Sequence, residues 1–318
     1  MKIVLLDTLT MGSDMNFGCI ADLGETVMYG NTAPSEVAER IKDADVAVLN
    51  KVVLDEQVLS SAKNLKLICV FAIGYNNIDL EFCRDHNIKV RNVPGYCSGS
   101  VCQHTFALLF SLIENMRYYD DFVKNGSYSR SGIANHLGKR FFEIEGKKWG
   151  IIGMGSIGRR VADCAAAFGA DVCYSSISGA VREEKYPDVP LTTLLSECDI
   201  ITVHAPLNEK THHLIGEKEL KMMKKTAVIV NVGRGSVIDE AALQEAIDDG
   251  VVAGAALDVY SEEPPKADSP IMNLKNKEKI VYTPHIAWGS VQARERCISM
   301  TADNIQAFIN GESHNDVI

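Results

Sequence analysis

Short apolar runs alternate with amphipathic stretches from the first residue onward. Lys2–Leu6, Val46–Leu49 and Leu67–Phe71 are apolar runs of strand length, and Lys89–Asn92 is a further expected strand. Between them Pro34–Lys42, Asp55–Ser61 and Leu80–His86 carry apolar residues at helical spacing, with Thr32 where a helix cap is expected. Buried strands separated by helices predict a parallel sheet covered on both faces. Asn92-Val93-Pro94-Gly95 breaks the pattern. Ser98–Tyr118 then reads as one long helix, with Val101, Phe106, Leu109, Leu112 and Ile113 on its apolar stripe. Lys124–Phe142 has weak periodicity and is expected to be irregular.

The alternation restarts at Lys148. Trp149–Ile152, Asp171–Tyr174, Ile200–His204, Ala227–Asn231, Val252–Leu257 and Lys279–Thr283 are expected strands, Gly158–Phe168 a helix, and Ser290–Asn310 a long closing helix. At roughly 150 residues per domain, 318 residues make two. The expected fold class is α/β, with two Rossmann-like doubly wound parallel-sheet domains and a cleft between them. With the closing helix returned to the first unit, residues 1–97 plus 289–318 are expected to form one discontinuous domain and residues 98–288 the other.

Composition narrows the function classes. Hydrophobic residues make up 46% and charged residues 23%, which excludes a disordered chain. The net charge of −10 argues against a nucleic-acid binder and against a polybasic membrane anchor. The nine cysteines are odd in number and scattered, without a C-x-x-C pair, so free thiols in a reducing cytoplasm are expected, and no metal site. Cys97 and Cys102 flank a candidate site region. Asp7 breaks the opening apolar run, and no stretch approaches the ~20 apolar residues of a membrane span.

The strongest local signal is Gly153-Met154-Gly155-Ser156-Ile157-Gly158, which follows one expected strand and opens a helix. In that context the first glycine turns the chain and the second lets backbone approach a pyrophosphate. The third packs helix on strand, and the phosphates sit on N–H groups at the helix start. The next strand ends at Ser175-Ser176, where an NAD site usually presents an acid to the ribose. Ser175 suits either a hydroxyl or a phosphate, and Arg182 is the nearest arginine downstream, so NAD(H) and NADP(H) both stay open.

Further motifs follow in order: Val203-His204-Ala205-Pro206-Leu207-Asn208-Glu209-Lys210-Thr211, Asn231-Val232-Gly233-Arg234-Gly235, Ala256-Leu257-Asp258-Val259-Tyr260 running to Glu263-Pro264, and Thr283-Pro284-His285-Ile286-Ala287. Together with the glycine motif they resemble the D-isomer-specific 2-hydroxyacid dehydrogenase family over nearly the whole chain. The resemblance implies that Arg234, Glu263 and His285 are the catalytic residues. The chemistry suits them. A guanidinium fork grips the oxyanions of a 2-oxo acid, an imidazolium protonates the developing alkoxide, and a carboxylate behind it favours the charged ring. Taken alone, each of the three would read as an ordinary surface or ion-pair residue.

The same resemblance places His204, Ala205, Pro206, Thr211, Val232, Gly233 and Val101 near the cofactor, with Asp258 accepting from the nicotinamide carboxamide. In the first domain, Val70–Asp79 is similar to the family's substrate loop. The backbone N–H groups of Ile73 and Gly74 would bind the substrate carboxylate beside Ala72, which stands where the family often has Gly. Lys51 would face the substrate, and Cys102-Gln103 replaces the common Ala-Glu. Trp288 after His285 is similar to the glycerate dehydrogenase or hydroxypyruvate reductase branch and would wall the pocket. The remaining histidines, His104 among them, read as structural or surface. The implied partners are a small 2-oxo or 2-hydroxy acid and a second copy of the chain, paired through the long helix from Ser98. A dinucleotide-sensing corepressor on the same fold is the alternative.

Overall fold

The computed structural model describes residues 1–177 and 184–318. Arg182 lies outside them. The chain divides into two compact units, 1–97 with 288–318, and 98–287.

The first unit carries β1 (Lys2–Leu5), β2 (Glu25–Met28), β3 (Val46–Leu49), β4 (Leu67–Val70) and β5 (Lys89–Arg91). They form one parallel sheet in the order β2-β1-β3-β4-β5. The short helices α1 (Gly18–Ala21), α2 (Val37–Ile41), α3 (Glu56–Leu59) and α4 (Leu80–Asp85) connect them. The cap of the second connection is Ala33, while the buried Thr32 hydroxyl donates to the Leu6 carbonyl instead. β3 and β4 are buried at every position, as strands covered on both faces must be. β2 escaped the sequence reading because it is an edge strand with no buried residue.

The second unit opens with α5 (Ser98–Ile113), α6 (Met116–Lys124) and α7 (Ser127–Ser131). The helix expected to run to Tyr118 stops early. Asn115 sits in the left-handed region at φ 51° and its side chain donates to the Ile113 and Arg140 carbonyls, which starts a new helix in a new direction. Then follow β6 (Lys148–Ile152), α8 (Ser156–Ala167), β7 (Asp171–Ser175), α9 (Leu191–Glu197) and β8 (Ile200–Val203). α10 (Glu217–Met222), β9 (Val228–Asn231), α11 (Glu240–Asp248), β10 (Gly254–Leu257) and β11 (Ile280–Tyr282) complete the unit. Its parallel sheet has the order β11-β10-β9-β8-β6-β7. The order reverses between β6 and β8, the place where open α/β sheets receive ligands.

The closing helix, α12 (Val291–Ile309), belongs to the first unit, capped by Ser290 accepting from the Ala293 amide. Arg91 ties the C-terminal segment to β5. Its buried guanidinium reaches Asp316 at 2.7 Å and the carbonyls of Asn304 and Glu312 at 2.6 Å each. Trp288, counted with the second domain by the sequence, also belongs to the first unit, its ring edge-on to Tyr96 at 6.4 Å.

Candidate active site

β6 ends at Ile152, and Gly153 turns the chain at φ +96°. A Cβ there would stand 2.8 Å from the Ala205 nitrogen, and one on Gly158 would stand 2.3 Å from the Gly153 carbonyl. A Cβ on Gly155 would meet nothing within 4 Å. The first and third glycines are thus held by packing, and the second faces open space. α8 starts at Ser156 with no side chain capping its N–H groups, and Ser98 donates to the Ser156 hydroxyl at 3.1 Å. Uncapped N–H groups at a helix start suit a phosphate.

Beside this turn lies a pocket of about 200 Å³ between the ends of β6 and β8. Gly153, Met154, Gly155, Ser176, Ile177, His204, Ala205, Pro206, Asn208, Lys210 and Thr211 line it. Ser176 takes the lining place expected for Ser175, which is buried in β7 opposite Ile152. Strand alternation explains the difference, since adjacent residues point to opposite faces. Thr211 uses its hydroxyl within the loop, accepting from the Asn208 amide at 2.8 Å and donating to the Pro206 carbonyl at 2.7 Å. Its part is to shape the wall. Met154, Ile177, Asn208 and Lys210 belong to the pocket without having been singled out as ligand contacts from the sequence.

His204 is partly exposed as a residue, but both ring nitrogens are buried and have no hydrogen-bond partner among the described residues. Burial pushes its pKa down to about 3. Unpaired polar atoms beside a glycine turn and an uncapped helix start fit a dinucleotide. The depressed value also predicts a pH effect on the ligand-free protein. The unfolded chain takes a proton near 6.5 and the folded ring only near 3, so stability is complete above pH 6.5 and falls toward pH 3. Relative to His204→Leu, wild type should lose about 1.4 kcal/mol per pH unit in that window. Urea unfolding of both proteins from pH 7 to pH 4.5 checks this, and parallel curves would refute it.

The other candidate residues gather at the ends of β9, β10 and β11. After β9, Asn231 braces the following turn. Its side chain accepts from the Gly233 amide at 3.0 Å and donates to the Arg234 carbonyl at 2.9 Å. The Arg234 guanidinium donates to the Gly233 carbonyl at 2.8 Å. A Cβ on Gly235 would come within 1.8 Å of the Tyr260 carbonyl carbon, so this turn lies directly on the segment that leads to Glu263. Gly235→Ala should cost roughly 3 kcal/mol, the upper end for overpacking. A denaturation midpoint equal to wild type would show that the backbone gives way there.

Glu263 Oε2 lies 2.5 Å from His285 Nδ1, and Glu263 Oε1 accepts from the Tyr260 amide at 3.1 Å. An ionised carboxylate carries no proton, so Nδ1 holds the hydrogen of this pair. His285 has a left-handed backbone at φ 54°, a conformation that persists in a non-glycine residue only when its surroundings enforce it. Asp258 supplies that enforcement. Its carbonyl accepts from the His285 amide at 2.8 Å, while Oδ1 accepts from the Ile286 amide at 2.8 Å and Oδ2 from the Ala287 amide at 2.9 Å. Burial pushes the Asp258 carboxyl up, but hydrogen bonds from His104, Thr283 and the two amides outweigh it and hold it below the usual range. The resemblance implies that Asp258 accepts from the carboxamide; the structure buries its carboxylate and engages both oxygens in this clamp.

Val101 is buried on α5. Cys102, beside it, lies 3.7 Å from Cys164 sulfur to sulfur, and burial pushes its thiol up to about 12. All nine cysteines are free. Among the described residues there is no cluster able to hold a metal, and no helix is long and apolar enough to cross a membrane.

In the first unit, the loop after β4 has its carbonyls tied down. Val93 donates to Ala72, and the Asn92 side chain donates to Ile73 at 2.7 Å. The N–H groups of Ile73 and Gly74 have no partner among the described residues. The Asp7 carboxylate accepts from the Asn50, Lys51 and Val52 amides and so fixes the loop that carries Lys51. Lys51 lines a groove of about 540 Å³ with Thr10 and Val52; Ala72, Ile73 and Gly74 are not among its lining.

A double-wound dinucleotide fold with a carboxylate–imidazole pair defines a nicotinamide-dependent dehydrogenase, and comparison with known proteins agrees. Residues 106–287 match the D-isomer specific 2-hydroxyacid dehydrogenase NAD binding domain, and the chain belongs to that family. It is 33% identical over 323 residues to a hydroxypyruvate reductase of Blautia hydrogenotrophica, covering 100% of this chain and 99% of that one. A D-lactate dehydrogenase of Aquifex aeolicus, solved with NAD and lactic acid, superposes with a TM-score of 0.86 at 29% identity, covering 98% and 96% of the two chains. An acyclic imino acid reductase solved with NADPH and D-Arg superposes at 0.89 with 28% identity over 100% of both. The chain is therefore an oxidoreductase acting between a nicotinamide cofactor and a 2-hydroxy acid or its 2-oxo acid.

Proposed function

We propose that the chain reduces hydroxypyruvate to D-glycerate, with glyoxylate as the second substrate. The carrying observation is the 2.5 Å pair of Glu263 and His285 on a backbone fixed by Asp258. The hydroxypyruvate reductase relative supports the choice of oxo acid. The Gly153–Gly158 turn, the start of α8 and the His204–Thr211 wall would hold the nicotinamide cofactor, which would supply the hydride when bound. Val101, Val232 and Gly233 would complete its surroundings, and Asp258 is proposed for its carboxamide. Arg234 holds the substrate carboxylate and polarises the carbonyl, with the Ile73 and Gly74 amides and Lys51 as further anchors and Trp288 as a wall. His285 delivers the proton from Nε2 to the developing alkoxide, since Nδ1 is engaged by Glu263. In the oxidative direction the same nitrogen takes the proton back.

The test is absorbance at the nicotinamide band with hydroxypyruvate, glyoxylate, pyruvate and phenylpyruvate, each with NADH and NADPH. A further arm supplies a 2-oxo acid with an amine, because one structural neighbour is an acyclic imino acid reductase. Highest kcat/KM with hydroxypyruvate supports the proposal. Turnover only in the amine arm replaces the substrate class, and cofactor binding without turnover favours the corepressor-like reading.

We also propose a homodimer in the cytoplasm. The apolar stripe of α5, the expected interface, is buried within its own unit. A group of exposed apolar side chains follows it: Met116, Val123, Ile133, Leu137 and Phe141, with Leu137 at 80%. A second copy covering 116–141 accounts for them. Sedimentation velocity should show a dimer at micromolar concentration and a monomer for Leu137→Asp. A monomeric wild type would remove the dimer.

A further inference from the structure

We propose that His104 is a positioning residue for the acid–base step, acting through Thr283 and Asp258 on the turn that carries His285. The inference rests on the proposed function of His285. His104 Nε2 lies 2.9 Å from the Thr283 hydroxyl, and that hydroxyl lies 2.6 Å from Asp258 Oδ1. The direction of the chain is forced. Asp258 is held ionised and can only accept, so the Thr283 hydrogen points to it. The Thr283 oxygen then accepts from His104, whose Nε2 carries the hydrogen. His104 Nε2 is also 3.5 Å from Asp258 Oδ1.

The carboxylate oriented in this way binds the amides on the two residues after His285, while the Asp258 carbonyl takes the His285 amide itself. A left-handed non-glycine residue relaxes when such bonds are lost. Asp258 also donates its own amide to the Asn231 carbonyl at 3.0 Å, and Asn231 braces the Arg234 turn. The buried Asp258 carboxylate therefore sets the His285 turn, and His104 on α5 sets the rotation of that carboxylate. The glycine-turn pocket and the Glu263–His285 bond do not pass through His104. Its loss should leave the KM for the oxo acid largely intact and lower the chemical step.

The test uses the full chain with His104→Leu, His104→Gln, Thr283→Val and Thr283→Ser. For His104→Leu, kcat should fall about tenfold, the loss expected for one hydrogen bond in a charged network. KM for the oxo acid should stay within about twofold. Hydrogen–deuterium exchange of peptides covering Ile286 and Ala287 should speed up by about tenfold. His104→Gln keeps a donor and should restore both readouts to within about threefold. Wild-type kcat and exchange in His104→Leu would overturn the inference, as would equal damage in the Leu and Gln variants. Should His104→Leu fail to fold, Thr283→Val against Thr283→Ser decides in the same way. A wild type that binds cofactor but turns over no oxo acid strikes the proposed function, whereas exchange unchanged by His104→Leu strikes only this inference.

Discussion

His285→Ala should lower kcat for the 2-oxo acid by about 10²–10⁴-fold, the range for losing a positioned general acid. In the proposed mechanism the imidazole gives the alkoxide its proton, and Glu263 lies 2.5 Å from its Nδ1. Without the ring, water must supply that proton from an unfixed position. Cofactor affinity should stay within about twofold, because no part of the ring lines the glycine-turn pocket. Stopped-flow reduction under single-turnover conditions separates the chemical step from product release. A variant within about twofold of wild type would remove His285 from the mechanism. Glu263→Gln provides the intermediate case: it keeps an acceptor for Nδ1–H but lacks the charge that favours the imidazolium, so its loss should be smaller.

Arg234→Lys should lower kcat/KM by about 10²–10³-fold, with unchanged affinity for the cofactor. Lysine keeps the charge but not the planar fork that fits a carboxylate and its adjacent carbonyl. The substitution is chosen over alanine because Arg234 also donates to the Gly233 carbonyl, and a cation at this place keeps more of the local turn. Calorimetric titration with cofactor, alongside steady-state kinetics, reads the two quantities independently. Loss of cofactor binding with intact substrate KM would reassign Arg234 to the cofactor.

Much of the fold was legible because its causes are local. Continuous apolar runs such as Val46–Leu49 and Ile200–Val203 mark strands buried on both faces, and the structure buries every residue in them. The edge strand Glu25–Met28 gave no such signal, since a strand with one open edge does not have to be apolar. The glycine turn was equally legible. A positive φ at Gly153 and a 2.3 Å approach at Gly158 leave no other residue type for those places. Ser176 rather than Ser175 reached the pocket because the facing of a strand end depends on register with its neighbour, and register is a tertiary property.

By itself the sequence determined the two parallel α/β sheets, the phosphate-binding turn and the chemical types of the candidate catalytic groups. These follow from periodicity, backbone sterics and side-chain chemistry, which act over a few residues. Only the tertiary structure decided which groups meet. Glu263 and His285 are 22 residues apart, Asp258 and Ile286 28, His104 and Thr283 179, and Arg91 and Asp316 225. A hydrogen bond requires atoms within about 3 Å, and no local pattern encodes such a distance between remote segments. His104, an unremarkable helix residue in the sequence, gains its part only because the end of β11 lies beside α5.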